Sequence, residues 1–377
     1  MTPETRFAES TGLSRTLFMA LELGSTTWKL TFAVGLGHRP RTVRVPARDL
    51  ARVVEEIGRA KTRFGLASDG PVRSCYEAGR DGFWLHRALT ARGVMNVVVD
   101  PSSIAVDRRK RRVKTDRVDA TALVIQLQHA LAGDRRGWRE LRVPSVEAEA
   151  ERHLQREWET VREDRKRIRN RIHGLLATQG IVLPVTKHFV ARLSMMVRGD
   201  GGSVPTLLRA RLAREWAALQ QVDARLLLLR RARMRRLDAD DVVAQQTRTL
   251  AALRGIAANS ALTLTTELFA WRAFTNGRQI GAIVGLTPTP YRSDQTAIEQ
   301  GISQSGNRRV RMLSIQLAWS WIRRQPHSAL TRWFYQRFGT HPRARRIGIV
   351  AVARKLLIAL WRYLDRGIVP EGALVKG

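Results

Sequence analysis

Between Leu17 and Val99, seven apolar segments follow one another in an order that few folds accommodate. Leu17-Phe-Met-Ala-Leu-Glu-Leu23 and Trp28-Lys-Leu-Thr-Phe-Ala-Val34 read as strands joined by a Gly-Ser-Thr-Thr turn, and Thr42-Val-Arg-Val45 adds a third. Helical spacing runs from about Asp49 to Phe64. Val72 to Ala78 reads as a strand, Gly82 to Ala91 as a helix, and Val94 to Val99 as a β-branched strand closed by Asp100-Pro101.

This is the order of a ribonuclease-H-like mixed sheet, and four acidic residues fall where such a sheet would collect them. Glu22 and Glu77 end two of the strands, so adjacency of those strands brings both carboxylates to one edge. A basic loop then enters a helix in which Asp116 and Asp119, three apart, share the first turn, with Thr115 as candidate N-cap. Taken singly, each acid is a solvated surface residue. Gathered together they repel unless a cation neutralises them, and hard oxygen donors select Mg²⁺, or Mn²⁺, over zinc. Two such ions would stabilise the attacking and leaving oxygens of a phosphodiester.

The charge balance points to the same substrate. With 66 Lys and Arg against 33 Asp and Glu, a formal net charge of +33 calls for a nucleic-acid partner, although charge alone also fits a binder without chemistry. A 44% apolar share and ten tryptophans exclude a disordered basic tail. The single cysteine, Cys75, excludes disulfides and cysteine zinc sites within a protomer, and its setting suggests packing rather than reactivity. With no apolar leader and no apolar run of membrane-spanning length, the expected location is the cytoplasm, in association with the nucleoid.

Three regions are expected: 15–140 for the metal-binding sheet, 145–237 for a helical arm and 245–365 for a mainly α domain. The arm carries Leu154, Trp158, Val161, Ile168, Ile172 and Leu175 in one helix, with Arg165 interrupting the seam. Leu212, Leu219, Leu226, Val222 and Leu229 recur in a second helix, beyond a glycine-rich turn at Arg198–Ser203. Such seams fit a coiled-coil hairpin or oligomerisation arm, or equally helices packed on the N-terminal domain. Further on, a helical stretch from Leu250 to Phe274 bends at Arg254-Gly255-Ile256-Ala257. The Gly285-Leu-Thr-Pro288 block leads into a loop, and helices cover Arg308–Arg323 and Gly348–Tyr363. The chain after Asp365 reads as poorly ordered. Trp319, Trp321, Trp333 and Trp361 read as packing residues rather than base-stacking platforms.

Tyr76-Glu77-Ala-Gly, Lys114-Thr-Asp-Arg-Val-Asp-Ala120, Gly285-Leu-Thr-Pro288 and Gly301-Ile-Ser-Gln-Ser-Gly-Asn-Arg-Arg-Val-Arg311 together resemble the DEDD transposases of the insertion-sequence 110 family, relatives of the pilin-gene invertases. The resemblance spans roughly Leu17 to Arg362. It implies a RuvC-like domain whose acidic tetrad is Glu22, Glu77, Asp116 and Asp119, then a coiled-coil region, then a transposase domain whose catalytic serine is Ser293 in Pro290-Tyr-Arg-Ser293. It also implies double-stranded DNA as substrate, a structured guide RNA encoded by the element, and a homodimer or tetramer. Glu22 stands where the family has Asp, Asp294 where a glycine is usual, and Ala257 where a second glycine of a helix-hairpin-helix turn would be.

A serine hydroxyl needs activation and a neutralised phosphate, and no histidine lies near Ser293 in the sequence. The expected arrangement has the acidic cluster activate Ser293 in space, in one protomer or across two. Arg308, Arg309 and Arg311, and the run Arg108, Arg109, Lys110, Arg111, Arg112 and Lys114, are the expected phosphate contacts. Ser303 and Ser305 compete for the nucleophile's role, Ser293 could be an ordinary loop serine, and the basic run could be a solvated loop. The leading reading is a DNA transposase or recombinase. The rivals are a metal-only junction-resolving nuclease and a nucleic-acid-binding protein whose catalysis has decayed.

Overall fold

The computed structural model describes residues 15–35, 37–103, 116–134, 138–293, 296–339 and 341–376; at 102, 116–119, 290–293 and 296–300 the backbone alone is described. The chain divides into two units, Met1–Pro144 and Ser145–Gly377.

The first unit is built on a six-stranded mixed sheet ordered β3-β2-β1-β4-β5-β6. Its strands are β1 (Leu17–Leu23), β2 (Thr27–Val34), β3 (Arg41–Pro46), β4 (Val72–Glu77), β5 (Met95–Val99) and β6 (Glu140–Leu141). β1 pairs antiparallel with β2 and parallel with β4, which is itself parallel to β5. The first five residues of β1 are all buried because helices cover both faces of the sheet, so the strand reads as one apolar run. On one face α1 (Leu50–Arg63) and α2 (Trp84–Thr90) bury Val53, Ile57, Leu85 and Leu89 against Leu17, Met19 and Leu21. On the other, Leu123, Val124 and Leu127 of α3 (Asp116–Leu131) pack on Phe18, Ala20 and Cys75. Cys75 is buried, and burial, with the charge of Glu140, pushes its thiol well above the ordinary range, as a packing role requires. α2 starts two residues later than its spacing suggests, because Gly82 has a positive φ of 67° and its carbonyl accepts the Tyr76 hydroxyl.

The second unit opens with two helices of 32 residues, α4 (Val146–Ala177) and α6 (Thr206–Leu237), with the short α5 (Phe189–Ser194) between them. The ion pairs Glu151–Arg236, Glu157–Arg225, Arg165–Asp223 and Arg171–Glu215 descend along α6 as they ascend along α4, so the helices run antiparallel. Ile168, Ile172, Leu212 and Leu219 fill the seam, and Phe189 closes its end against Trp216, with 5.4 Å between ring centroids. Arg165, the polar break in the apolar spacing, thus meets a carboxylate on the facing helix. α7 (Val242–Ala252) and α8 (Ala258–Leu264) follow, then a π-helical turn (Thr265–Phe269), α9 (Gly277–Ile283), the hairpin β7 (Pro288–Ser293) and β8 (Thr296–Ile302), α10 (Arg308–Arg324), α11 (Ala329–Phe338) and α12 (Pro342–Arg366). Trp321, Phe334, Leu356 and Trp361 belong to the core of this unit, and Trp319 and Trp333 pack partly buried against it. The four tryptophans in question are therefore packing residues. Among the described residues no helix is long and apolar enough to cross a membrane.

Two expectations are corrected here. The stretch after Pro288 is a two-stranded hairpin, not a loop. The residues after Asp365 are placed: Leu374 and Lys376 exchange backbone hydrogen bonds with Arg254 and Ala252, and the fully buried Gln325 amide donates to the carbonyls of Arg254 and Leu374 and accepts from the Leu374 N–H. One buried side chain thereby satisfies three backbone groups and holds the tail against the α7–α8 turn. That turn's carbonyls are engaged within the domain, by Gln325 at Arg254, Ser320 at Gly255 and Lys376 at Ile256.

Candidate active site

Register, read from the backbone upward, builds the acidic edge. β1 and β4 pair from Leu17↔Val72 to Leu21↔Tyr76, and one further step sets Glu22 beside Glu77 at the C-terminal ends of two parallel strands. Side chains alternate along a strand, so Glu22 shares a face with Phe18 and Ala20, and Glu77 shares one with Cys75. This is the face that α3 covers. Positions 116 and 119 stand one helical turn before Ala120 and Leu123, both buried on that face. Lys29, directly across from Glu22 on β2, pairs with it at 3.4 Å and supplies a cation at the edge that spacing alone did not reveal.

Glu22 and Glu77 would offer a metal carboxylate oxygens, which suits Mg²⁺ or Mn²⁺. Among the described residues no three His, Cys, Asp or Glu side chains are grouped to hold a metal, and the side chains at 116 and 119 lie outside the described ones. Arg108, Arg109, Lys110, Arg111, Arg112 and Lys114 also lie outside the described residues.

Within the second unit, Ser293 is the last residue of β7, paired in register with Thr296. A clasp made of the two glycine blocks holds the base of the hairpin. Gly285 has a positive φ, and a Cβ there would stand 2.1 Å from the Ser305 carbonyl oxygen; Gly306 mirrors it against the Ile283 carbonyl oxygen, also at 2.1 Å. No side chain fits either position, which explains glycine in both blocks. Arg311 locks the clasp, donating from one guanidinium nitrogen to the Val284 and Ser305 carbonyls at 3.0 and 3.2 Å. Ser305 donates to Ser303 at 3.2 Å.

The clasp leads into α10, whose N-cap Asn307 accepts from the Val310 N–H and donates to Glu267 at 3.2 Å. Glu267, in the π-helical turn, is a buried hub. Arg156 of α4 grips it with two bonds of 2.7 and 3.0 Å, and Arg309 approaches to 3.9 Å while pairing with Glu159. The bonds to Glu267 raise the Arg156 guanidinium above its ordinary pKa, whereas burial first, then the charge of Arg156, lowers that of Arg309. Of the three α10 arginines expected to meet phosphates, then, Arg308 is exposed at the helix start, while Arg309 and Arg311 hold partners inside the domain. Glu267 escaped sequence reasoning, although a lone acid within Ala261–Trp271 was a signal that could have exposed it.

A β3-β2-β1-β4-β5 order with acids ending β1 and β4 defines the class: a RuvC-like α/β fold, extended here by a helical C-terminal region. The model of the Transposase IS116/IS110/IS902 family matches residues 247–333, from α7 into α11. The chain is 39% identical, over 96% of its length and 94% of the relative's, to y4rJ of Sinorhizobium fredii, a protein assigned as a transposase. It is 27% identical to the transposase for insertion sequence element IS1328 of Yersinia enterocolitica, over 55% of this chain and 60% of that one. The chain belongs to the IS110/IS116/IS902 family of transposases.

Proposed function

We propose that the protein cuts and rejoins DNA strands by Mg²⁺-dependent transesterification through Ser293, as an oligomer directed by a structured RNA encoded beside its gene. The observation that carries this reading is the β1–β4 register, which brings Glu22 and Glu77 one step beyond the Leu21–Tyr76 pair, on the face covered by α3. The place of Ser293 at the end of β7, inside the family-matched segment, adds to it. The RNA and the oligomer rest on the family resemblance and on the +33 charge.

Glu22, Glu77, Asp116 and Asp119 would hold Mg²⁺, or Mn²⁺, which when bound neutralises charge on the scissile phosphate. The Ser293 oxygen forms a bond to phosphorus as the bond from phosphorus to one deoxyribose oxygen breaks. The hydroxyl proton passes to a base, and the departing oxygen takes up a proton. Attack on the phosphoserine link by a deoxyribose hydroxyl of another strand reverses these bonds and frees the serine.

The test incubates the full chain, purified together with the RNA that accompanies it in the host, with a labelled duplex carrying the element's ends, in Mg²⁺ or in chelator, and resolves the products on a denaturing gel. A Mg²⁺-dependent protein–DNA adduct is expected. Glu77→Gln is expected to lower its formation by roughly 10²- to 10³-fold, because it removes one charged oxygen ligand while keeping the size of the side chain. Cleavage to free ends without an adduct would replace this reading with the metal-only nuclease. Salt-sensitive binding without cleavage, unchanged in Glu77→Gln, would leave only a binder.

A further inference from the structure

The helical arm carries a feature that this chemistry does not use. Between α4 and α6 lies a cleft of about 670 Å³ whose walls include Trp158, Arg162, Lys166, Arg169 and Arg230. Glu163 and Asp223 are its two carboxylates, and Asp223 is held by Arg165 at 2.5 Å, so the lining keeps a clear excess of positive charge. Arg162, Lys166 and Arg169 lie along one side of α4, and Arg162 to Arg169 spans about 10 Å of axis, close to three base steps of a nucleic-acid duplex.

A buried group beside the cleft argues that something is meant to enter it. Arg233, one turn beyond Arg230, is 3% exposed, with its guanidinium 4.7 Å from the ring of Trp158. Its Nε and Nη2 meet no acceptor among the described residues. Burial, reinforced by the charge of Arg162, pulls its pKa down to about 10. An arginine that is buried, stacked, short of acceptors and facing a second arginine is costly in the free protein, and an anion in the cleft removes that cost. A second copy of this chain is a poor candidate for that anion: its own cleft has the same sign, and its cations outnumber its acids two to one.

We propose that this cleft binds the phosphodiester backbone of a nucleic acid, with Arg162 and Arg230 contacting phosphates and Arg233, on the face of Trp158, setting the potential at the cleft's end. The site lies on the arm, and its test is independent of strand cleavage.

The full chain is titrated by fluorescence anisotropy against a labelled DNA duplex and a labelled RNA hairpin over a range of salt. Arg162→Gln combined with Arg230→Gln is expected to weaken binding roughly tenfold or more and, for a duplex, to make the dependence of log affinity on log salt shallower by about 2. A loss confined to RNA, or to DNA, identifies which strand the cleft serves, and both support the site. Arg233→Met is expected to weaken binding while leaving the thermal midpoint unchanged or higher, since it removes a buried charge with unsatisfied donors. Parent-like affinity and salt slope in the double variant would overturn the proposal. So would a fall in oligomeric state with nucleic-acid affinity intact, which would make the cleft a contact between copies. A lower midpoint with unchanged affinity in Arg233→Met would overturn it too, by making that residue a packing element.

Discussion

A chain carrying Ser293→Ala is expected to fold and bind DNA as the parent does, yet to form no covalent adduct and to exchange strands slower by at least roughly three orders of magnitude. The size of the loss follows from the role: without the attacking oxygen no covalent intermediate exists, and loss of a nucleophile alone costs about as much as loss of the whole set it works with. The neutrality of the fold follows from the backbone. β7 and β8 are held by backbone strand pairing along the hairpin, and the base by the Gly285–Gly306 clasp and Arg311. The expected stability change is therefore below about 1 kcal/mol. Thermal unfolding and anisotropy serve as controls for the denaturing gel. Ser303→Ala and Ser305→Ala should both retain the adduct, and full activity in Ser293→Ala would remove the assignment.

Arg156→Ala should produce the largest loss of stability in the second unit. Glu267 is 1% exposed whereas Arg156 is 44% exposed, so truncating the arginine strands a buried carboxylate with Asn307 and the more distant Arg309. Leaving a buried charge uncompensated costs about 3–5 kcal/mol, or roughly 10 °C in a unit of this size. Arg156→Lys should fall between, because an ammonium cannot supply the two-pronged grip. Adding Glu267→Leu to Arg156→Ala should restore much of the loss, since an apolar replacement of both partners leaves no charge behind. The coupling matters for function because the same carboxylate receives Asn307, the cap of α10, and so ties α4 to the helix that follows the serine hairpin. Differential scanning calorimetry of the four chains checks it. A change within about 1 kcal/mol for Arg156→Ala would show that Glu267 is not the hub described.

The sheet was legible because its central strand is covered on both faces, leaving continuous apolar runs of strand length. The two-residue period then placed Glu22 and Glu77 on one face once β1 and β4 were adjacent. The β7–β8 hairpin was hidden by Pro288 and Pro290, which remove backbone donors and make an edge strand read as a loop. The ordered tail was hidden because it depends on one distant amide, Gln325, that no local pattern announces. Glu267 and Arg233 were missed for a shared reason. A buried charge has no periodic signature of its own, and among 66 basic residues nothing local distinguishes the arginine that lies under a tryptophan from those in solvent.

The central claim, that one serine alcohol and a set of carboxylates work on the same DNA linkage, is tested most directly by mapping the adduct. After reaction in Mg²⁺, nuclease trimming and proteolysis, mass spectrometry of peptides covering residues 288–307 should find a nucleotide phosphate on Ser293, absent in chelator and lowered roughly 10²-fold or more in Glu77→Gln. A phosphate found on Ser303, Ser305 or a residue elsewhere, or cleavage proceeding with no modified peptide, would contradict it.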